Sequence, residues 1–302
     1  MKSPAQPQLS PQETQALVSI AVLAAHADGH QVESERGEVE AVARGLSAAL
    51  PGTVERARLS ELARALRSPQ VRERTFETAV AVCNCDGALS AEERTFLSEL
   101  ARELGIERDR VAEVEKVGDA LATAPLSGTA PANDAETDEM IRRTAILCGG
   151  LELLPQGLSS LAILPLQMRM VYSIGKLHGY ELDRGHLKDF LATVGVGLTS
   201  QYLEGFARRL VGGVVGKVAG GFLRGLAGPA TGAAFTFAAT HALGQVAKRY
   251  YASGRKLTGA QLKESFTSLF QDAKGLAERH TGDMQRSAAS VDVKNLLPLL
   301  KG

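Results

Sequence analysis

Cys83-Asn84-Cys85-Asp86-Gly87-Ala88-Leu89-Ser90-Ala91-Glu92-Glu93 is an Asp-Gly turn between two segments of helical apolar period, and its reading decides the fold. Glycine tolerates the left-handed conformation of a helix C-cap, so Asp86-Gly87 closes a helix that begins near Gln70 and ends near Cys83. Ser90 followed by Glu93 has the S-x-x-E spacing of a capping box, so the next helix starts there and runs to about Leu104. An imperfect echo stands upstream at His26-Ala27-Asp28-Gly29 and onward to Glu35. The two turns superpose if the first is allowed one extra residue, which sets Asp28 on Asp86 and Glu35 on Glu92.

In each turn an Asp sits just past one helix and a Glu opens the next, so two carboxylates can converge on one cation. A hard cation such as Ca²⁺ takes about six to eight oxygens. Neither loop supplies them alone: read as an EF-hand from Asp86, the third position is Ala88 and the twelfth is Leu97. A shared site needs both halves brought together, as in a pseudo-twofold arrangement. The competing reading is structural. Asp-Gly makes the turn, and Glu92 and Glu93 favour a helix N-terminus by about 0.3 to 1 kcal/mol each. His26, His30, Cys83 and Cys85 raise a softer ion such as Zn²⁺, but the thiol spacing is Cys-x-Cys and no second pair exists, so Cys83 reads better as a small core residue.

The rest of the chain sets the frame. With 302 residues it is long enough for two cores, and its 34 basic and 34 acidic residues cancel, so no global charge recruits nucleic acid. Aromatics make up 5%, Trp is absent and Ala, Leu and Gly dominate, a composition for closely packed helices and an all-α fold. Three cysteines make no disulfide framework and point to a reducing compartment. Residues 1–11 are polar and proline-rich, read as a disordered lead-in and not a signal peptide. Helices are expected over Gln12 to Ala27, Ser34 to Ala49, Val54 to Leu66 and from Ile106 to Ala122. A linker follows at 123–139, then a second domain at 140–280 and a tail at 281–302.

The second domain is glycine-rich. Pro155 and Pro165 break its first apolar run, Asp183 caps a helix to about Val194, and Gly212, Gly216 and Gly220 recur at four-residue spacing. Gly225 to Ala247 is free of charge and long enough to span a bilayer, which needs about 20 residues. Its strongly apolar members, Leu226, Phe235, Phe237, Leu243 and Val246, contribute only about −1.5 to −3 kcal/mol on the insertion scale. The expectation is a helical hairpin that binds or partly enters a membrane. Leu262, Phe266, Leu269, Phe270, Ala273, Leu276 and Ala277 then line one face of an amphipathic helix.

A helix ending in Ala-Asp-Gly, a short loop and an acidic helix start, repeated about sixty residues later, resembles the TerB-like family of tellurite-resistance and related domains. The resemblance covers Gln12 to Ala122, with Asp28, Glu35, Asp86 and Glu92 as matching positions. It implies an all-helical bundle with a duplicated unit and an acidic surface for a divalent metal, in systems linked to membrane stress. Arg36 stands where the second repeat has Glu93. From Ile141 to Glu278 the pattern of the Pro-broken run, Lys176-Leu177-His178-Gly179-Tyr180, the Gly-rich hairpin and Tyr250-Tyr251 is similar to the YcjF-like family of membrane-associated domains. Members of that family are often joined to GTPases. Here Gly212 to Val218 fails as a phosphate loop, which would need Gly at Val211 and Ser or Thr at Val218.

No H-E-x-x-H or G-x-S-x-G motif is present. These readings together lead to the expectation of a non-enzymatic, membrane-associated stress-response module on the cytoplasmic side, with a divalent cation, protein partners and self-association. The alternative is an integral membrane pore or transport element in the second half, regulated by the first.

Overall fold

The computed structural model describes residues 10–27, 55–84, 89–123, 130–154, 162–194 and 229–291. Every regular element among them is helical, as the composition led us to expect. The chain divides into two compact units, the described residues up to Asp119 in one, and those from Ala120 to Val194 and from Ala230 on in the other.

The first unit holds α1 (Pro11–Ala25), a single 3₁₀ turn (Arg56–Arg58) leading into α2 (Leu59–Ala65), α3 (Pro69–Cys83), α4 (Ala91–Leu104) and most of α5 (Arg108–Ala122). Pro11 is the first helical residue and no part of a lead-in, because proline at the first position loses no hydrogen bond. Ser10 and Glu13 form a capping box around it, Ser10 N donating to Glu13 Oε2 at 2.9 Å. From Ala16 to Ala24 α1 is buried on all sides. It packs on α2 and α3, while α4 packs on both of these. The period of α4 buries Phe96, Leu97, Leu100 and Leu104, each contributing about 1.5–3 kcal/mol. Gly105, at φ 70°, ends α4 in the left-handed conformation that glycine tolerates.

Arg110 of α5 ties α5 to α3. Its guanidinium meets Glu73 at 2.8 Å, the buried Glu77 at 2.6 Å and Glu113 at 2.7 Å.

The second unit holds α6 (Asp134–Glu152), α7 (Ile163–Leu177), α8 (Arg184–Val194), α9 (Pro229–Ala252), α10 (Gly259–Arg279) and α11 (Thr281–Ser290). Asn133 caps α6, accepting from Glu136 N at 2.9 Å. The acidic stretch from Asp134, read as linker, is thus the opening of a helix. Pro165 lies in the first turn of α7, where no intrahelical donor is needed. Asp183 caps α8 as expected, accepting from His186 N at 2.8 Å. Part of the stretch read as a tail forms α11, which buries Met284 with Ala145, Ala233, Phe237 and Ala277.

The membrane expectation is overturned. No helix among the described residues is long and apolar enough to cross a membrane. The reason lies in α9, whose charge-free stretch is made of Ala, Thr and Gly more than of Leu or Ile. These small side chains serve close packing within the unit: Ala238, Ala239 and Ala242 meet Phe270 and Ala273 of α10, and Gly244 faces Ile141 of α6. The membrane-associated module, the membrane partner, the membrane location and the pore alternative fall with that finding. The helix expected over Ser34 to Ala49 and the glycines at 212, 216 and 220 lie outside the described residues.

Candidate cation site

The helices that precede the two Asp-Gly pairs are alike in length and opening. Pro11 follows Ser10 at the start of α1 and Pro69 follows Ser68 at the start of α3; the two helices are equally long and are displaced by the same number of residues as separates Asp28 from Asp86. They lie side by side in the same direction. At their starts Arg67 N donates to Glu13 Oε1 at 3.3 Å, and at their ends the Cys83 thiol donates to the Ala24 carbonyl at 3.6 Å. Two helix C-termini, each carrying about half a negative charge in unsatisfied carbonyls, therefore meet at one point.

The residues that cap those ends, His26 and Asn84, each stand two positions before an Asp-Gly pair. His26 Nδ1 and Asn84 Oδ1 are both buried without a hydrogen-bond partner. The Asn84 amide is spent on the Val80 carbonyl at 3.0 Å, and Gly118 of α5 presses so close that a Cβ there would sit 2.7 Å from Asn84 Nδ2. An orphaned acceptor in the interior costs about 1–3 kcal/mol. It is the kind of atom a bound cation satisfies.

Next to this end stand the charges of α4 and α5. Asp119 accepts from Leu89 N at 3.2 Å and from Arg94 at 2.5 Å. The Asp119 carboxylate holds Arg94 above its ordinary value, with Glu115 and Glu93 adding to the effect. Glu115 has a buried, unpartnered Oε1. Burial pushes its carboxyl above the ordinary range, Arg94 opposing this and Asp119 adding to it. Helical period alone does not reveal that α5 turns Glu115 and Asp119 toward Arg94. A partly apolar face with acids four residues apart is the only local signal.

Of the residues expected to ligate metal, Glu92 is described: it lies exposed in the first turn of α4. Glu93 beside it is taken by the capping box, its Oε2 accepting from Ser90 N at 2.7 Å. Asp28, Glu35 and Asp86 lie outside the described residues, as do His30 and Cys85. Among the described residues no group of three or more His, Cys, Asp or Glu could hold a metal ion. Cys83 is buried, with its thiol spent on Ala24, which fits the core role that its spacing suggested. In the second unit, burial raises the Cys148 thiol to about 12, so it is no nucleophile at neutral pH.

No curated protein and no solved structure matches the chain. Nothing in the comparisons supports a YcjF-like domain in the second half. Residues 1–117 match the model of the family described as Protein of unknown function (DUF533), so a domain of this TerB-like kind is present in the first part of the chain.

Proposed function

We propose that the first unit is a non-catalytic module that binds a hard divalent cation such as Ca²⁺ at the joined ends of α1 and α3, with carboxylates from Asp28, Glu35, Asp86 and Glu92. The observation that carries this reading is the meeting of Ala24 and Cys83. Each of these residues lies a few positions before an Asp-Gly pair, so the chain enters both pairs from neighbouring helix ends. The paired helix ends favour positive charge there, and the orphaned Asn84 Oδ1 adds a neutral oxygen of the type such cations take. The duplicated unit inferred from the repeat gives the pseudo-twofold frame that a shared site requires.

The test is a thermal unfolding series on the full chain with Ca²⁺, Mg²⁺, Mn²⁺ or Zn²⁺. Ligand at about 100 times its dissociation constant stabilises by roughly 2.7 kcal/mol. The expected result is a clear upward shift that Asp28→Asn with Asp86→Asn abolishes. A wild-type chain that melts at the same temperature with every cation overturns the reading.

A further inference from the structure

Among the described residues Arg255, at φ 63°, is the one non-glycine in the left-handed region. It follows Gly254, at φ 71°, in the link from α9 to α10. Gly254 N donates to the Tyr251 carbonyl at 3.1 Å and Arg255 N to the Tyr250 carbonyl at 2.9 Å. These are the two bonds of a Schellman motif, which asks for the left-handed conformation at Gly254 only. Helix termination therefore does not account for Arg255, whose side chain makes that conformation costly.

What the conformation achieves is the placing of a guanidinium. It lies over the rings of Tyr180, at 5.8 Å, and Tyr250, at 6.0 Å, and its Nε donates to the Tyr250 hydroxyl at 3.4 Å. The platform is itself fixed, because Tyr180 packs on Tyr251 at 5.4 Å and Tyr250 on Phe190 of α8 at 5.1 Å. Stacking holds a guanidinium plane and leaves its outer N–H groups to a ligand. Arg255 is exposed, and the groups that act on its charge are tyrosines, Tyr250 first and then Tyr251 and Tyr180. Tyrosine is uncharged at neutral pH, so no carboxylate among the described residues neutralises this arginine.

Gly254 leaves an open spot beside it. A Cβ there would meet nothing closer than Lys256 Cε at 3.8 Å and the Tyr180 hydroxyl oxygen at 3.9 Å. We infer that this spot is an anion site for a phosphate monoester, with Arg255 as the bidentate clamp, Lys256 as the second positive charge and the Tyr180 hydroxyl as a further donor. A flat carboxylate would use the Arg255 fork alone. A tetrahedral dianion takes donors from several sides and matches two positive charges.

The test is phosphorus NMR of inorganic phosphate titrated with the full chain at neutral pH and constant ionic strength, with a chelator present so that no cation bridges the two. The phosphate line is expected to broaden saturably. Arg255→Gly keeps the backbone, since glycine adopts φ 63° freely, and is expected to weaken binding by about ten-fold or more while circular dichroism shows the helices retained. Arg255→Lys keeps a charge without the planar fork and is expected to bind more weakly than wild type. A line no broader than with chloride in place of the chain's own sites, that is, unchanged by the wild-type protein, overturns the inference. So does phosphate binding that survives Arg255→Gly, and so does acetate that displaces phosphate at equal concentration.

Discussion

The Cys83 thiol donates to the Ala24 carbonyl at 3.6 Å, and through this contact the ends of α1 and α3 share one point of the first unit. Helices running in the same direction place like ends together, an electrostatic cost that a cation at the shared end would offset. Close approach is possible because the residues at the contact are small. Cys83→Leu is therefore expected to force the ends apart and to destabilise the chain by about 1–3 kcal/mol, read from chemical denaturation. The same variant is expected to lose most of the cation-dependent rise in melting temperature that the proposed site gives.

Gly118 shows a second close approach, where a Cβ would lie 2.7 Å from Asn84 Nδ2 and 3.0 Å from Val80 Cγ1. Gly118→Ala is expected to cost about 1–3 kcal/mol by overpacking, despite alanine's better helix propensity. Shortening the neighbour with Asn84→Ala in the same chain frees that space and removes the orphaned Oδ1. The double variant is then more stable than Gly118→Ala alone. Additive costs in a double-mutant cycle would show that the two residues do not compete for space.

What the sequence disclosed follows the range of the forces involved. Ser90 and Glu93 are three residues apart, so their capping box was legible from spacing, and Asp183 at the head of α8 likewise. Met284 was not. It is an isolated methionine in a polar tail, and its burial depends on Gly149 and Gly150, more than a hundred residues earlier. The charge-free stretch around Phe237 misled for a related reason: runs of Ala and Gly suit a membrane-packed helix and a tightly packed globular one alike, and only the partners decide. The echo between Asp28 and Asp86 could be read from spacing, but the meeting of Ala24 and Cys83 required the fold.

Glu115 provides a pH test. Burial raises its carboxyl above the ordinary value of 4.5, so as pH rises past that value the folded chain keeps a proton that the unfolded chain has released. Between the ordinary and the raised value the folded state binds more protons, and stability therefore falls as pH rises through that window. Glu115→Gln removes this term. The variant is expected to be more stable than the parent at neutral pH and to match it in acid below the ordinary carboxylate value, as followed by melting temperature across a pH series. A constant gap at all pH values would locate the effect in packing instead of titration.

Arg110 sets buried charge against buried apolar surface. It holds Glu77, only 4% exposed, at 2.6 Å while also meeting Glu73 and Glu113. Arg110→Met takes the guanidinium from a carboxylate that has almost no access to water, and the expected loss is about 3–5 kcal/mol. Glu77→Leu in the same chain removes the carboxylate as well and lets apolar surface fill the contact between α3 and α5. Replacing a whole buried ion pair in this way is often neutral, so the double variant is expected to recover most of the loss in denaturant unfolding. If it remains as unstable as Arg110→Met, the single variant's cost came from the lost tie to the exposed Glu73 and Glu113, and the strength of this junction resides at its surface.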